Sequence, residues 1–175
     1  MKSKFRTGLV LLAAILFGQA VHSQSAGKSL KKSNAMNSVK QQSENKESIR
    51  FLYDSIFNKR QFEKLGEIIS GDYTNSFGVK GVAAFQKSVL ELSKAFPDAQ
   101  WKVEEIIAEG NKVVVRQKFT GTHKNQFQNI APTNKIVSVD GIAIYEIQNG
   151  KIIHSQVQTD RLGFLQQLGV LPASY

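Results

Sequence analysis

Three observations predict an α+β fold with helices first and a curved antiparallel sheet after them. Apolar residues recur at helical spacing from Glu44 to Phe96, strand patterns with β-branched runs such as Val113-Val114-Val115 follow from Trp101 onward, and Asn149-Gly150 marks a tight hairpin between the last two strands. Helices packed on the concave face of such a sheet make a cone, and the mouth of a cone is a natural ligand pocket. The chain has 175 residues and is 41% hydrophobic, enough apolar material for one core.

The chain opens with Lys2, Lys4 and Arg6, an unbroken apolar run from Leu9 to Phe17, and then small or polar residues to Ser23. That is the order of a secretory signal peptide over residues 1–23, with cleavage expected after Ala20 or Ser23. A permanent anchor needs roughly 20 apolar residues, about twice this run, so no stable membrane insertion is expected once the signal is removed. The predicted location is the periplasm or the exterior. Residues 24–43 carry Ser, Lys, Gln and Asn with few large apolar side chains and are expected to form a flexible basic linker. The domain follows over 44–175.

Within it, Ile49, Leu52, Tyr53, Ile56 and Phe57 mark a first helix, and Phe62, Leu65, Ile68 and Ile69 a second one that stops at Ser70-Gly71-Asp72. A short extended piece covers Tyr73 to Phe77. Val82, Phe85, Val89, Leu92 and Phe96 then line one face of a third helix, ended by Pro97. Strands follow over Trp101–Ala108, Lys112–His123, Ile136–Ile147 and Lys151 to about Asp160, and a last helix covers Leu162–Leu168 before Gly169. The third of these strands is apolar on both faces and is expected to be covered on both sides.

The formal charge of +9 suggests nucleic acid or an anionic surface as partner until its distribution is read. Seven basic residues precede Glu44, the first acidic one, so the remainder is nearly neutral and no nucleic-acid partner is expected. The absence of cysteine excludes disulfides, thiolate metal sites, a thiol nucleophile and lipid attachment at cysteine. Beyond the leader, residues 1–23, the histidines are His123 and His154, without short ligand spacing, so no metal is expected. Neither a nucleotide-binding glycine pattern nor a G-x-S-x-G elbow is present.

Alternation along the last strand puts His154, Gln156, Gln158 and Asp160 on one face. That face is either a solvent face ending in Asp160 as the N-cap of the last helix, or a polar wall of the pocket with Asp160 as a general base whose pKa apolar neighbours raise. His123, on a strand face with Val113, Val115, Gln117 and Phe119, is a second catalytic candidate; it is either a hydrogen-bond donor to a substrate oxygen or a satisfied core residue. Gln156, Gln158, His154, Phe119 and Tyr73 are the candidate ligand contacts. Glu104 and Glu105 are expected on opposite faces of their strand, and Asp98 is read as a turn residue.

Four motifs occur in order: Ala95-Phe96-Pro97-Asp98, Gly121-Thr122-His123, Gly150-Lys151-Ile152, and Asp160 to Gly169 with Pro172 beyond. With this spacing the chain resembles the SnoaL-like polyketide cyclase, or ester cyclase, family over about Ser48 to Pro172. The resemblance implies the nuclear-transport-factor-2-like cone, often a homodimer, and a cofactor- and metal-free aldol-type cyclisation or isomerisation of a small carbonyl-containing hydrophobic ligand. It also implies a general acid/base role for Asp160. The sequence departs from the family pattern at Gln156, where relatives usually carry tryptophan, and at His154, often glutamate. Those departures give a second reading, a secreted small-molecule-binding module without catalysis.

Overall fold

The structure, a computed structural model, describes residues 19–172. The chain divides into two units, 1–39 and 40–175. The apolar run of the expected signal peptide lies outside the described residues. Among the described residues no helix is long and apolar enough to cross a membrane.

Helix α1 spans Gln19–Phe51. The expected linker, residues 24–43, lies within this helix; the segment lacks proline, and residues 31–40 are exposed all round. The core-facing side begins only at Asn45 and Ile49, both buried.

The helix widens into a π turn, Leu52–Phe57, in which Asn58 N–H reaches back to the Tyr53 carbonyl at 3.0 Å. Leu52, Tyr53, Ile56 and Phe57 all face inward as a result. A 3₁₀ turn (Phe62–Lys64) and the single-turn α2 (Leu65–Ile68) lead into β1 (Ile69–Asn75), and α3 (Gly81–Ala95) ends at Phe96-Pro97 as the sequence predicts. The strands β2 (Gln100–Glu109), β3 (Lys112–Thr122), β4 (Ile136–Gln148) and β5 (Lys151–Thr159) form an antiparallel meander, followed by α4 (Arg161–Leu168). Asn149 and Gly150 both have positive φ (51° and 72°), the backbone that the β4–β5 turn demands.

The sheet order is β1-β5-β4-β3-β2. One edge departs from the all-antiparallel expectation: β1 runs parallel to β5, because the whole meander separates them in sequence and brings β5 back beside β1 in the same direction. Ile69, expected at the end of the second helix, is already extended and pairs with Ile152.

Two one-residue irregularities bend the sheet. In β2 the register slips between Val103 and Glu105, so Glu104 and Glu105 together oppose Arg116 and both pair with it; the expectation that they face opposite ways fails at this bulge. In β5 the slip lies at Ile153, between the pairs Ile147–Ile152 and Glu146–His154.

The core lies on the concave side, where Ile49, Leu52, Ile56, Phe96, Val113, Val115, Ala143 and Leu168 are buried. The other face of β4 is open, with Ile136 at 74% and Ile142 at 49% exposure, which corrects the expectation that both faces are covered.

Candidate functional site

Three of the four sequence motifs converge on one corner of the cone; Gly150-Lys151-Ile152 lies at the other end of β5, where Lys151 Nζ donates to the Gly66 carbonyl at 2.8 Å. Phe96 is fully buried and its ring packs on Phe119, His123, Phe127 and Phe164. Asp98 Oδ1 accepts from Thr122 N–H at 2.7 Å and Oδ2 from the Thr122 hydroxyl at 2.6 Å, and these bonds hold its carboxyl below the usual carboxylate range. Gly121 is required beside them, since a β-carbon there would lie 3.1 Å from Phe96 Cβ and 3.2 Å from Ala99 Cα. The Gln167 amide pairs with both backbone groups of Ser138, docking α4 on β4.

Asp160 belongs to this framework. It is exposed, and its Oδ1 accepts from Gly163 N–H at 2.8 Å as the N-cap of α4. The placement in the pocket expected for a general base is therefore corrected: the carboxylate is committed to the start of a helix. His123 also leaves the candidate list as placed. It is buried under Phe96 at a ring-centroid distance of 5.1 Å, and its Nδ1 accepts from Thr133 N–H at 3.2 Å. Burial lowers its pKa, offset in part by the Asn125 backbone, so the ring is a neutral core residue.

The β5 bulge decides the remaining assignments. A one-residue insertion moves every later side chain to the opposite face. Ile152 points inward, and beyond the bulge Ser155, Val157 and Thr159 do, leaving His154, Gln156 and Gln158 on the other face. These three predicted ligand contacts are corrected accordingly. His154 Nδ1 instead lies 3.3 Å from Thr74 Oγ1 across the β1–β5 pair.

Tyr73 and Phe119 stand in cavity walls. The concave face holds a cavity of about 270 Å³, with Phe57, Phe85, Leu92, Trp101 and Val157 as its apolar wall. Its polar groups are Tyr53, Tyr73, Tyr145, Ser155 and Gln117, with Asn75, Ser76 and Ser88 also on its lining. A second chamber of about 200 Å³ shares Leu92, Trp101, Gln117 and Val157 with the first and adds Phe119, Phe127, Thr159, Arg161 and Phe164.

Two hydroxyl pairs organise the first cavity. Tyr53 Oη lies 2.9 Å from Tyr145 Oη, and Tyr73 Oη lies 2.6 Å from Ser155 Oγ. One proton closes each pair, which leaves one further hydroxyl proton per pair available to an occupant. Burial pushes all three phenols up, and at Tyr145 the neighbouring Tyr53 and Tyr73 act in the same direction, so all are neutral donors. Among the described residues no Asp, Glu or His lines either chamber. Among the described residues no group of three His, Asp or Glu could hold a metal ion.

Sequence reasoning missed Tyr53, Tyr145, Ser155 and Gln117. A signal for Gln117 existed: it is the one polar residue in the inward alternation Val113, Val115, Gln117, Phe119.

Residues 47–168 match the SnoaL-like polyketide cyclase family, and the chain belongs to it. Membership supports a cyclase- or isomerase-type role of the cofactor-independent kind. Solved structures share the fold. A protein named as a SnoaL-like polyketide cyclase from Jannaschia sp. CCS1 is 21% identical, with a TM-score of 0.70 over 75% of this chain and 95% of that one. TsrD from Streptomyces laurentii is 23% identical, TM-score 0.65, over 77% and 97%. AclR from Streptomyces galilaeus, named as a hydroxylase, is 25% identical, TM-score 0.68, over 77% and 86%. No curated protein matches.

Proposed function

We propose that this cleft binds a small, mainly apolar carbonyl compound and polarises its carbonyl oxygen with neutral phenol hydrogens. The observation that carries the reading is the pair of hydroxyl couples, Tyr53–Tyr145 and Tyr73–Ser155, each with an uncommitted proton facing the apolar wall of Phe57, Phe85, Leu92, Trp101 and Val157. A neutral donor in a dry site favours an acceptor, and it favours a developing enolate oxygen more. With Asp160 outside the lining of both chambers, the geometry supports holding and polarising the ligand over moving its proton. The N-terminal leader extends the proposal to an exported protein, whose mature form begins at Val21 or Gln24.

A second reading adds catalysis at Asp160. Thr159 and Arg161, its two chain neighbours, both line the second chamber, so release of the helix cap would place the carboxylate at that chamber's rim. There it would take a proton α to a carbonyl, the enolate would attack a second carbonyl of the same molecule, and the acid would return the proton to the new alkoxide. Ring closure of this kind leaves the mass unchanged, so the readout must follow structure. Native protein and Asp160→Asn are incubated with a linear 1,5-diketone and the mixture is followed by carbon NMR. The binding reading predicts protein-dependent shifts of intact diketone with both proteins. Loss of one carbonyl signal with native protein alone would establish the second reading, and no interaction with either would overturn both.

A further inference from the structure

Gln117 carries an unused hydrogen-bonding group in the wall of the cleft. The residue is 5% exposed, it lines both chambers, and its buried Oε1 has no hydrogen-bond partner. A buried carbonyl left unpaired costs stability, and a leucine of similar volume would complete the apolar wall without that cost. Its neighbours explain why the protein does not satisfy it. Gly141, directly across on β4, has no side chain to offer, and the wall residues nearest along β3, Val115 and Phe119, are apolar.

We infer that Gln117 is a specificity-determining residue that recognises a hydroxyl group on the ligand, at a point remote from the carbonyl held by the tyrosines. The inference rests on the carbonyl-binding reading of the cleft. Register fixes the separation. Gln117 is level with Gly141 and Thr159, whereas Tyr145 is level with Ser155, four residues further along β4. At about 3.4 Å per residue the two levels are roughly 13 Å apart along the strand. Ala143 and Val157 occupy the level between them. The matching ligand is elongated, with a carbonyl at one end, an apolar middle and a hydroxyl towards the other.

The choice of hydroxyl follows from the amide itself. A carboxylate can only accept and would leave Oε1 unpaired. A hydroxyl donates to Oε1, and it equally accepts from Nε2 if the amide turns over, so it satisfies the side chain in either orientation.

The test uses the full chain and two probes, a medium-chain methyl ketone and the same ketone carrying a terminal hydroxyl, with native protein and Gln117→Leu. Native protein is expected to bind the hydroxyketone about tenfold more tightly than the plain ketone. Gln117→Leu is expected to bind the plain ketone at least as well, to lose the preference, and to melt no lower than native protein. Equal affinities for the two probes in native protein, or an undiminished preference in the variant, would overturn the role of Gln117 while the carbonyl site stands. Binding of neither probe would overturn the carbonyl site and this inference with it. Should the variant not fold, the side-chain amide resonance of Gln117 in native protein decides: it shifts with the hydroxyketone alone if the inference holds, and responds alike to both probes if it does not.

Discussion

The corner where three of the motifs meet and the cleft beside it are built on different terms. At the corner most polar groups are committed within the protein, Asp98 to Thr122, Asp160 to Gly163 and Gln167 to Ser138, with buried His123 Nε2 as an exception, and the Phe96 ring packs on four other rings. In the cleft, hydroxyl protons are left over and the Gln117 carbonyl has no partner. The difference teaches where to look for function in this fold. Residues that form a recognisable pattern do so because they fix the frame, while the groups free to meet a ligand are scattered singly over a turn and four strands.

The sharpest way to break this contrast is Phe96→Ala. Removing a fully buried ring at the junction should cost about 3–5 kcal/mol, read as a fall in the urea midpoint. A loss under about 1 kcal/mol would show that the corner is not what holds the cone. In the cleft, Tyr145→Phe removes a hydroxyl but little volume. It should weaken ketone binding by about 1 kcal/mol, roughly fivefold, as measured by calorimetry. Unchanged affinity would separate the Tyr53–Tyr145 couple from ligand recognition.

The smallest effect concerns pH. Burial lowers the His123 pKa from its ordinary 6.5, so the unfolded chain takes up this proton more readily than the folded one. The histidine's contribution is therefore complete above about pH 6.5 and declines as the pH falls below it, towards the lowered folded value. Denaturation midpoints of native protein and His123→Gln, measured from pH 7.5 to pH 5, should show the steeper decline in native protein. Parallel curves would mean that the ring titrates alike in both states. Asp98 acts in the same direction at lower pH, since its carboxyl is held below its ordinary 3.8.

Element types were legible because period and punctuation agree. The alternation of β3, the Asn149-Gly150 turn and the Phe96-Pro97 stop each appear where the sequence puts them. The inward face of β5 was not legible. Strict alternation from Ile152 leads to His154, Gln156, Gln158 and Asp160, and nothing in Ile152-Ile153-His154 announces the extra residue that moves the inward set to Ser155, Val157 and Thr159. Bulges are set by partner strands, here β1 on one side and β4 on the other, and a single chain segment carries little trace of them. The same holds for β2, where two glutamates share Arg116 only because the register slips. Asp160 was legible as a choice between a cap and a base; the short turn from Thr159 into α4 gives the cap.

The irregularity at Ile153 also bears on how this scaffold can change. Loss of that one residue would leave Ser155 and Val157 inward, because every later residue keeps its partner on β4. Closing the bulge with the residue kept, so that β5 slips one position along β4, would instead present His154, Gln156 and Gln158 inward and turn Ser155 and Val157 out. A one-position slip would thus exchange the whole chemical repertoire of one wall with no change in the number of residues, so proteins of this architecture can acquire new ligands by slipping a strand as well as by editing it.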